Sequence, residues 1–151
     1  VAFAQNYNAT SPNWGARVDL TPSSEGKIAN TSVTDACKWT LESITDGNYA
    51  FKKGHMYLYL GTNIGSKSGA QCDLNTTAAC YLEDKTSTCN DAFMLHPTAT
   101  STNVMLYNTS SKGYRMYAKR NSYSSTMTPY FRFYEETATV TETYTYISNP
   151  V

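Results

Sequence analysis

The chain has 151 residues, enough for one domain with its own core, and its 12 basic and 12 acidic side chains balance to a net charge of zero. No block of like charge occurs, which excludes the basic stripe of a nucleic-acid binder, and no run of about 18 apolar residues is present to span a membrane. With 22 Thr, 15 Ser and 13 Tyr against few Leu, Glu and Lys, the composition predicts strands and turns with little or no helix.

Taken in chain order, Ala2-Phe3-Ala4-Gln5 opens the chain as a strand, although Ala2-Phe3-Ala4 also has the small-x-small form of a signal-peptide cleavage site. Ser11-Pro12-Asn13-Trp14 predicts a turn, which puts Trp14 on a loop tip before the block Gly15-Ala16-Arg17-Val18-Asp19-Leu20. Trp39-Thr40-Leu41 is an aromatic-x-apolar strand, followed after Asp46-Gly47 by the alternating strand Asn48–Lys52. Lys53-Gly54-His55 turns the chain into the tyrosine-rich strand Met56-Tyr57-Leu58-Tyr59. Gly69-Ala70-Gln71-Cys72-Asp73-Leu74 then repeats the earlier glycine block, and Phe93-Met94-Leu95 repeats Trp39-Thr40-Leu41. A third series follows: Thr102–Tyr107, Tyr114-Arg115-Met116-Tyr117, Asn121–Ser125 and Tyr130-Phe131-Arg132-Phe133. Glu142–Ile147 is a last alternating strand.

One offset, from Gly15 to Gly69, carries three separate blocks onto their counterparts, which marks an internal repeat. Each copy reads as about four short strands, with boundaries near 2–41, 48–95 and 103–133. The first copy lacks its opening strand, and Glu142–Ile147 supplies one by pairing beside the N-terminal repeat. Such closure leaves no open sheet edge. Spacing of two places Trp39 with Leu41, Phe93 with Leu95 and Phe131 with Phe133 on one strand face, and predicts a threefold aromatic core.

Three imperfect four-strand repeats over residues 2 to 148 resemble the β-trefoil fold, so the fold class is read as an all-β, single-domain trefoil. The Asn13–Leu20 and Lys38–Glu42 blocks resemble trefoil modules of extracellular gut-bacterial proteins, related in shape to the ricin-B lectin family. The Gln-x-Trp motif of that family does not occur here. The resemblance implies a binding module, since trefoils serve as carbohydrate binders, protease inhibitors and cytokines alike.

Carbohydrate sites join a flat ring, for the apolar sugar face, to acids or amides for the hydroxyls. On that chemistry the candidate ligand-binding residues are Asn13, Trp14, Arg17 and Asp19 in the first copy. Asn63, Gln71 and Asp73 are the candidates in the second copy, and Asn121 and Tyr123 in the third. An Asp in this position also serves as a turn cap.

Four cysteines, Cys37, Cys72, Cys80 and Cys89, suggest two disulfides with three pairings open; Cys80–Cys89 would close a short loop and Cys37–Cys72 would tie distant segments. No C-x-x-C spacing points to metal, and no cofactor motif occurs. His55 and His96 stand apart from any nucleophile motif and read as surface or capping residues. Glu83-Asp84 and Glu135-Glu136 read as solvated loop charge, since neighbours on a strand point to opposite faces.

The expectation is a secreted or cell-surface, non-enzymatic module that binds a glycan or other cell-surface ligand, without nucleic acid, cofactor or membrane insertion. The alternative is a structural or adhesive subunit that forms a homo-oligomer by strand exchange through Glu142–Ile147. A trefoil-type protease inhibitor, presenting Lys67, Lys112 or Arg120 on a loop, ranks third.

Overall fold

The computed structural model describes residues 2–8, 11–65, 72–110 and 113–137, with side chains from Asp19 onward. The described chain is all-β and antiparallel, with two single 3-10 turns at Asn30–Ser32 and Asp35–Cys37 as its only helical pieces. Gln71 and the expected closing strand Glu142–Ile147 lie outside the described residues.

One sheet runs β1-β2-β10-β9-β11, formed by Ala2–Asn8, Ser11–Val18, Gly113–Ala118, Asn103–Asn108 and Met127–Thr128. Its β9–β10 hairpin is paired without interruption from Gly113 opposite Asn108 to Ala118 opposite Asn103. Val104-Met105-Leu106-Tyr107 and Gly113-Tyr114-Arg115-Met116 are consecutive buried residues, so this hairpin is covered on both faces.

The second sheet runs β6-β5-β4-β7-β8, formed by Cys72–Asn75, Met56–Leu60, Asn48–Lys53, Cys80–Asp84 and Phe93–His96. Strand β3, Thr40–Ser43, pairs along one edge of β4. The other edge of β4 is divided: Asn48 and Tyr49 face β7, and Lys52 and Lys53 face β5. The sheet therefore forks at β4 rather than lying as a flat ribbon.

The β3–β4 turn shows the local chemistry at work. Asp46 and Gly47 both have positive φ, 48° and 79°, as a type I′ turn requires. Gly47 is needed twice over, because an added Cβ would lie 2.9 Å from the Tyr81 ring. The core between the sheets joins Phe51, Leu58, Leu60, Cys72, Cys80 and Leu95 to Met105, Tyr107, Tyr114 and Met116. Burying each large apolar side chain here contributes about 1.5–3 kcal/mol over leaving it in water.

Several expectations change. Asn13 and Trp14 lie inside β2, not in a turn: β2 pairs with β1 on either side of them, Ser11 opposite Asn8 and Gly15 opposite Tyr7, with a register shift between. Strand β7 has no counterpart in the four-strand reading; its burial does not alternate, so no period-two signal marks it. Trp39 and Phe131 pack as half-buried residues against the core instead of forming its centre, and Phe93 is also half-buried. Leu41 is 45% and Phe133 43% exposed, whereas Leu95 is 3% exposed. A spacing of two states that side chains share a face, not that the face is covered. Among the described residues strand β3 pairs on one side only, and its Leu41 stays in water. The rings at 93 and 131 do belong to neighbouring chains of the fold, since each backbone N–H donates to the other's carbonyl, at 2.9 and 2.8 Å.

Candidate functional site

The residues expected to bind ligand fall in several places. Asn13, Trp14 and Arg17 are on β2, with Arg17 opposite Phe3. Asp19 follows β2 and is exposed. Asp73 lies on β6 opposite Tyr59, half-buried, and its Oδ1 accepts the Leu74 N–H at 2.6 Å, a local backbone contact. Tyr123 accepts the Arg120 N–H on its hydroxyl at 2.9 Å. The structure does gather the loops carrying Asn63 and Asn121 at one end. There Asn103 Nδ2 donates to the Thr62 carbonyl at 2.6 Å, and Lys119 N–H donates to the Thr102 carbonyl at 2.7 Å.

The same end holds a charge cluster centred on Glu83. Lys85 Nζ and Lys119 Nζ each reach Glu83 Oε1 at 2.8 Å, and His96 Nε2 meets Oε2 at 2.6 Å. Burial pushes the Glu83 carboxyl up, but the hydrogen bonds from Lys119, Lys85 and His96 outweigh it and hold the group at about 2. His96 is only 3% exposed, and its Nδ1 lies 2.8 Å from the Asn103 carbonyl. A carbonyl and a carboxylate only accept, so both contacts are hydrogen bonds together only when both ring nitrogens carry hydrogen. His96 is thus a buried cross-link between β8 and β9, not the surface residue its sequence context suggests. Glu83 is its partner and not solvated loop charge, while Asp84 is exposed and caps the Thr86 N–H at 2.8 Å. The Glu83 carboxylate is taken up by three side chains, so the cluster ties strand β7 to β8 through His96 and to the segment after β10 through Lys119.

All four cysteines are free thiols, and neither expected bridge is formed. Cys72 and Cys80 are buried in the core; burial raises both thiols, Cys80 to about 12, and removes them from nucleophilic chemistry. Cys37 lies beside Thr34 Oγ1 at 3.9 Å and Cys89 beside Arg132 Nη2 at 3.6 Å, each half-buried. Among the described residues no group of three His, Cys, Asp or Glu side chains is placed to hold a metal ion.

Two hollows lie between the loop after β2 and the segment that follows β11. A hollow of about 460 Å³ is walled by Pro22, Asp91, Arg132 and Phe133. A second, of about 200 Å³, is walled by Lys27, Ile28, Asn30 and Thr137. Gly26, Tyr134 and Glu135 border both, so the two hollows share part of their lining. Tyr134 is 48% exposed, and Phe133 beside it is backed by Phe51 and Phe93, with ring centroids at 5.6 and 5.7 Å.

The walls are held by their own bonds. Ser23 N–H donates to the Lys27 carbonyl at 2.8 Å, Gly26 N–H donates to the Ser23 carbonyl at 2.9 Å, and Lys27 N–H reaches Ser23 Oγ at 3.3 Å. Asn30 Nδ2 donates to the Thr137 carbonyl at 3.3 Å, and Lys38 Nζ holds Glu136 Oε1 at 2.8 Å. Arg132 Nε donates to the Asn90 carbonyl at 2.9 Å. Asp91 holds a left-handed φ of 55°, a conformation that Asp tolerates better than most residues. The carboxylates of Asp91 and Glu135 make no hydrogen bond or ion pair among the described residues.

The sequence reading missed this groove. Glu135 and Glu136 are exposed, as solvated loop charge is, whereas Phe133 is 43% exposed and not a core residue; the four aromatics within Tyr130–Tyr134 are the sequence signal for the groove. Comparison of the chain with protein-family models, with curated proteins and with solved structures finds no match.

Proposed function

We propose that this chain is an extracellular, non-enzymatic module that binds carbohydrate, built on a β-trefoil-like scaffold. The observation that carries the reading is the pair of hollows that share Tyr134 in their lining. An exposed ring with a backed neighbour offers a stacking face, while Asp91, Glu135 and Asn30 offer acceptors and an amide at its rim. A flat ring edged by a few polar groups is the combination a pyranose requires, with an apolar ring face and hydroxyls around it. The trefoil reading is supported by two hairpins at matching repeat positions, β4–β5 and β9–β10, and by the forked pairing of β4. The engagement of the Glu83 carboxylate by Lys85, Lys119 and His96 supports a structural role for that cluster.

The test is a glycan array probed with the native protein and with Tyr134→Ala. The native protein is expected to bind a subset of glycans, and the variant to lose them while its unfolding midpoint stays put, because the ring is half in water. Silence of the native protein across the array would end the carbohydrate reading. Binding that survives in Tyr134→Ala would move the site elsewhere.

A second reading, a structural or adhesive subunit assembling by strand addition, is favoured by β3. This strand is paired on one side only among the described residues, and Leu41 and Ile44 beside it are 45% and 51% exposed. Sedimentation of the native protein and of Leu41→Lys separates the two: an assembly that the charge dissolves supports the subunit, and a monomer in both cases removes it.

A further inference from the structure

Four Asn-x-Ser/Thr triplets start at Asn8, Asn30, Asn75 and Asn108, the acceptor pattern for an N-linked glycan. A chain so rich in Thr and Ser produces such triplets by composition, so the motif alone selects none of them. Their places in the fold separate them. Asn8 is in β1, with its side chain outside the described residues. Asn108 ends β9 half-buried, and both ends of its amide are used: Nδ2 donates to the Tyr117 hydroxyl at 3.3 Å, and Oδ1 accepts the Ser110 N–H at 2.9 Å. Asn30 opens a 3-10 turn, donates from Nδ2 to the Thr137 carbonyl at 3.3 Å and lines the smaller hollow, which a glycan there would fill.

Asn75 differs on each count. It is the last residue of β6, and Asn75, Thr76 and Thr77 are all exposed on the segment that leads to β7. Its Oδ1 is occupied locally, accepting the Thr76 N–H at 2.7 Å and the Thr76 hydroxyl at 3.4 Å. Its Nδ2 has no partner among the described residues. The core holds β6 by its other end, where Cys72 is 1% exposed. A spacing of two sets Asp73 and Asn75 on one face of the strand, which puts a carboxylate on the acceptor's side of β6 as a second point for a basic transferase to grip.

We propose that Asn75 is an N-glycan acceptor, the sequon asparagine whose glycan enters water without meeting a packed side chain or filling the groove. The donor is an oligosaccharide joined through its C1 to a polyprenyl diphosphate. In the transfer the bond from Asn75 Nδ2 to C1 forms and the bond from C1 to the diphosphate oxygen breaks. Nδ2 gives up one proton, and the polyprenyl diphosphate leaves with the electron pair. Thr77 supplies the hydroxyl that the motif requires at its third position. A glycan is bulky and water-seeking, so the fold decides which glycosylated chains reach the native state. The inference rests on the extracellular part of the reading above and is independent of the Tyr134 groove.

The experiment secretes the whole chain, behind a cleavable leader, from cultured animal cells. A second arm exports it to the periplasm of bacteria that carry an N-glycosyltransferase and its lipid-linked donor. Folded protein is treated with a peptide N-glycosidase, which turns a glycan-bearing amide into an acid, and its peptides are read by mass. Position 75 is expected to carry the glycan, while Asn30 and Asn108 stay unmodified. Asn75→Gln and Thr77→Ala are expected to lose the glycan and Thr77→Ser to keep it, with the unfolding midpoint of Asn75→Gln unchanged. Asp73→Asn is expected to lose most of its periplasmic occupancy; full occupancy there would overturn the part given to the carboxylate. Modification in one arm only supports the site and identifies the class of transferase that reads it.

An unmodified Asn75 in folded protein from both arms would overturn the proposal, and so would Asn30 or Asn108 occupied as fully as Asn75. Failure here is distinct from failure of the binding reading. An unmodified Asn75 in a protein that binds on the glycan array removes the acceptor site and keeps the function, and an occupied Asn75 with a silent array does the reverse.

Discussion

Glu83 shows how a single residue takes its role from what surrounds it. In sequence it is one of two adjacent acids; in the structure it accepts from two lysines and faces a buried histidine, while its neighbour Asp84 is turned to solvent. Its folded value of about 2 lies below the ordinary 4.5, so the cluster stabilises the fold fully above pH 4.5 and loses that contribution as pH falls toward 2. Glu83→Gln is expected to cost about 1.5–3 kcal/mol near neutral pH, the range for hydrogen bonds to charged groups. Urea unfolding of both proteins from neutral to acid pH checks this: the gap between them should close below pH 4.5. A gap that persists to pH 2 would show that packing, not charge, is what the variant lost.

Strands β3 and β8 carry the two matching aromatic-x-apolar blocks, yet they sit differently in the sheet. Strand β8 pairs with β7 and meets Phe131 across its other side, and Leu95 is 3% exposed. Among the described residues strand β3 pairs with β4 alone, and every residue in it is exposed. Leu95→Ala is expected to cost about 2–5 kcal/mol, the usual range for a leucine removed from a packed core. Leu41→Ala, at the equivalent repeat position, is expected to stay within about 0.5 kcal/mol of the native protein. Chemical denaturation of the pair measures this difference directly; equal losses would mean that β3 is covered.

At the scale of the molecule, the sheets close around one core that holds two of the four cysteines. Cys72 and Cys80 are 1% and 0% exposed, while Cys37 and Cys89 are half-buried toward the surface. Alkylation of the native protein is therefore expected to label Cys37 and Cys89 and to spare Cys72 and Cys80 until global unfolding, as mass spectrometry would read. Failure of all four to react after unfolding without reductant would instead reveal disulfides. Apart from its pairs, the chain is neutral overall, so binding by the Tyr134 groove is left to stacking and hydrogen bonds rather than to long-range attraction.

Much of the fold was legible along the chain. Thr, Tyr and Val in alternating runs, bracketed by Asp46-Gly47 and Lys53-Gly54, specify strands and hairpins through local sterics, and the structure is all-β with those hairpins in place. Strand β7 was not legible, because its five residues carry no turn signal that separates them from their surroundings. Nor was the groove, since Gly26, Asp91 and Tyr134 are far apart in sequence and meet only through the packing of loops.

Amino-acid sequence by itself determined the all-β character, the tight turns at Asp46-Gly47 and Lys53-Gly54, and zero net charge, all properties set within a few residues or by simple addition. Tertiary structure alone decided which apolar faces were covered, which histidine became a cross-link, and where an aromatic ring was left open beside two carboxylates. Burial and charge pairing depend on neighbours brought together by folding, and an alternating pattern names a face without naming what packs against it.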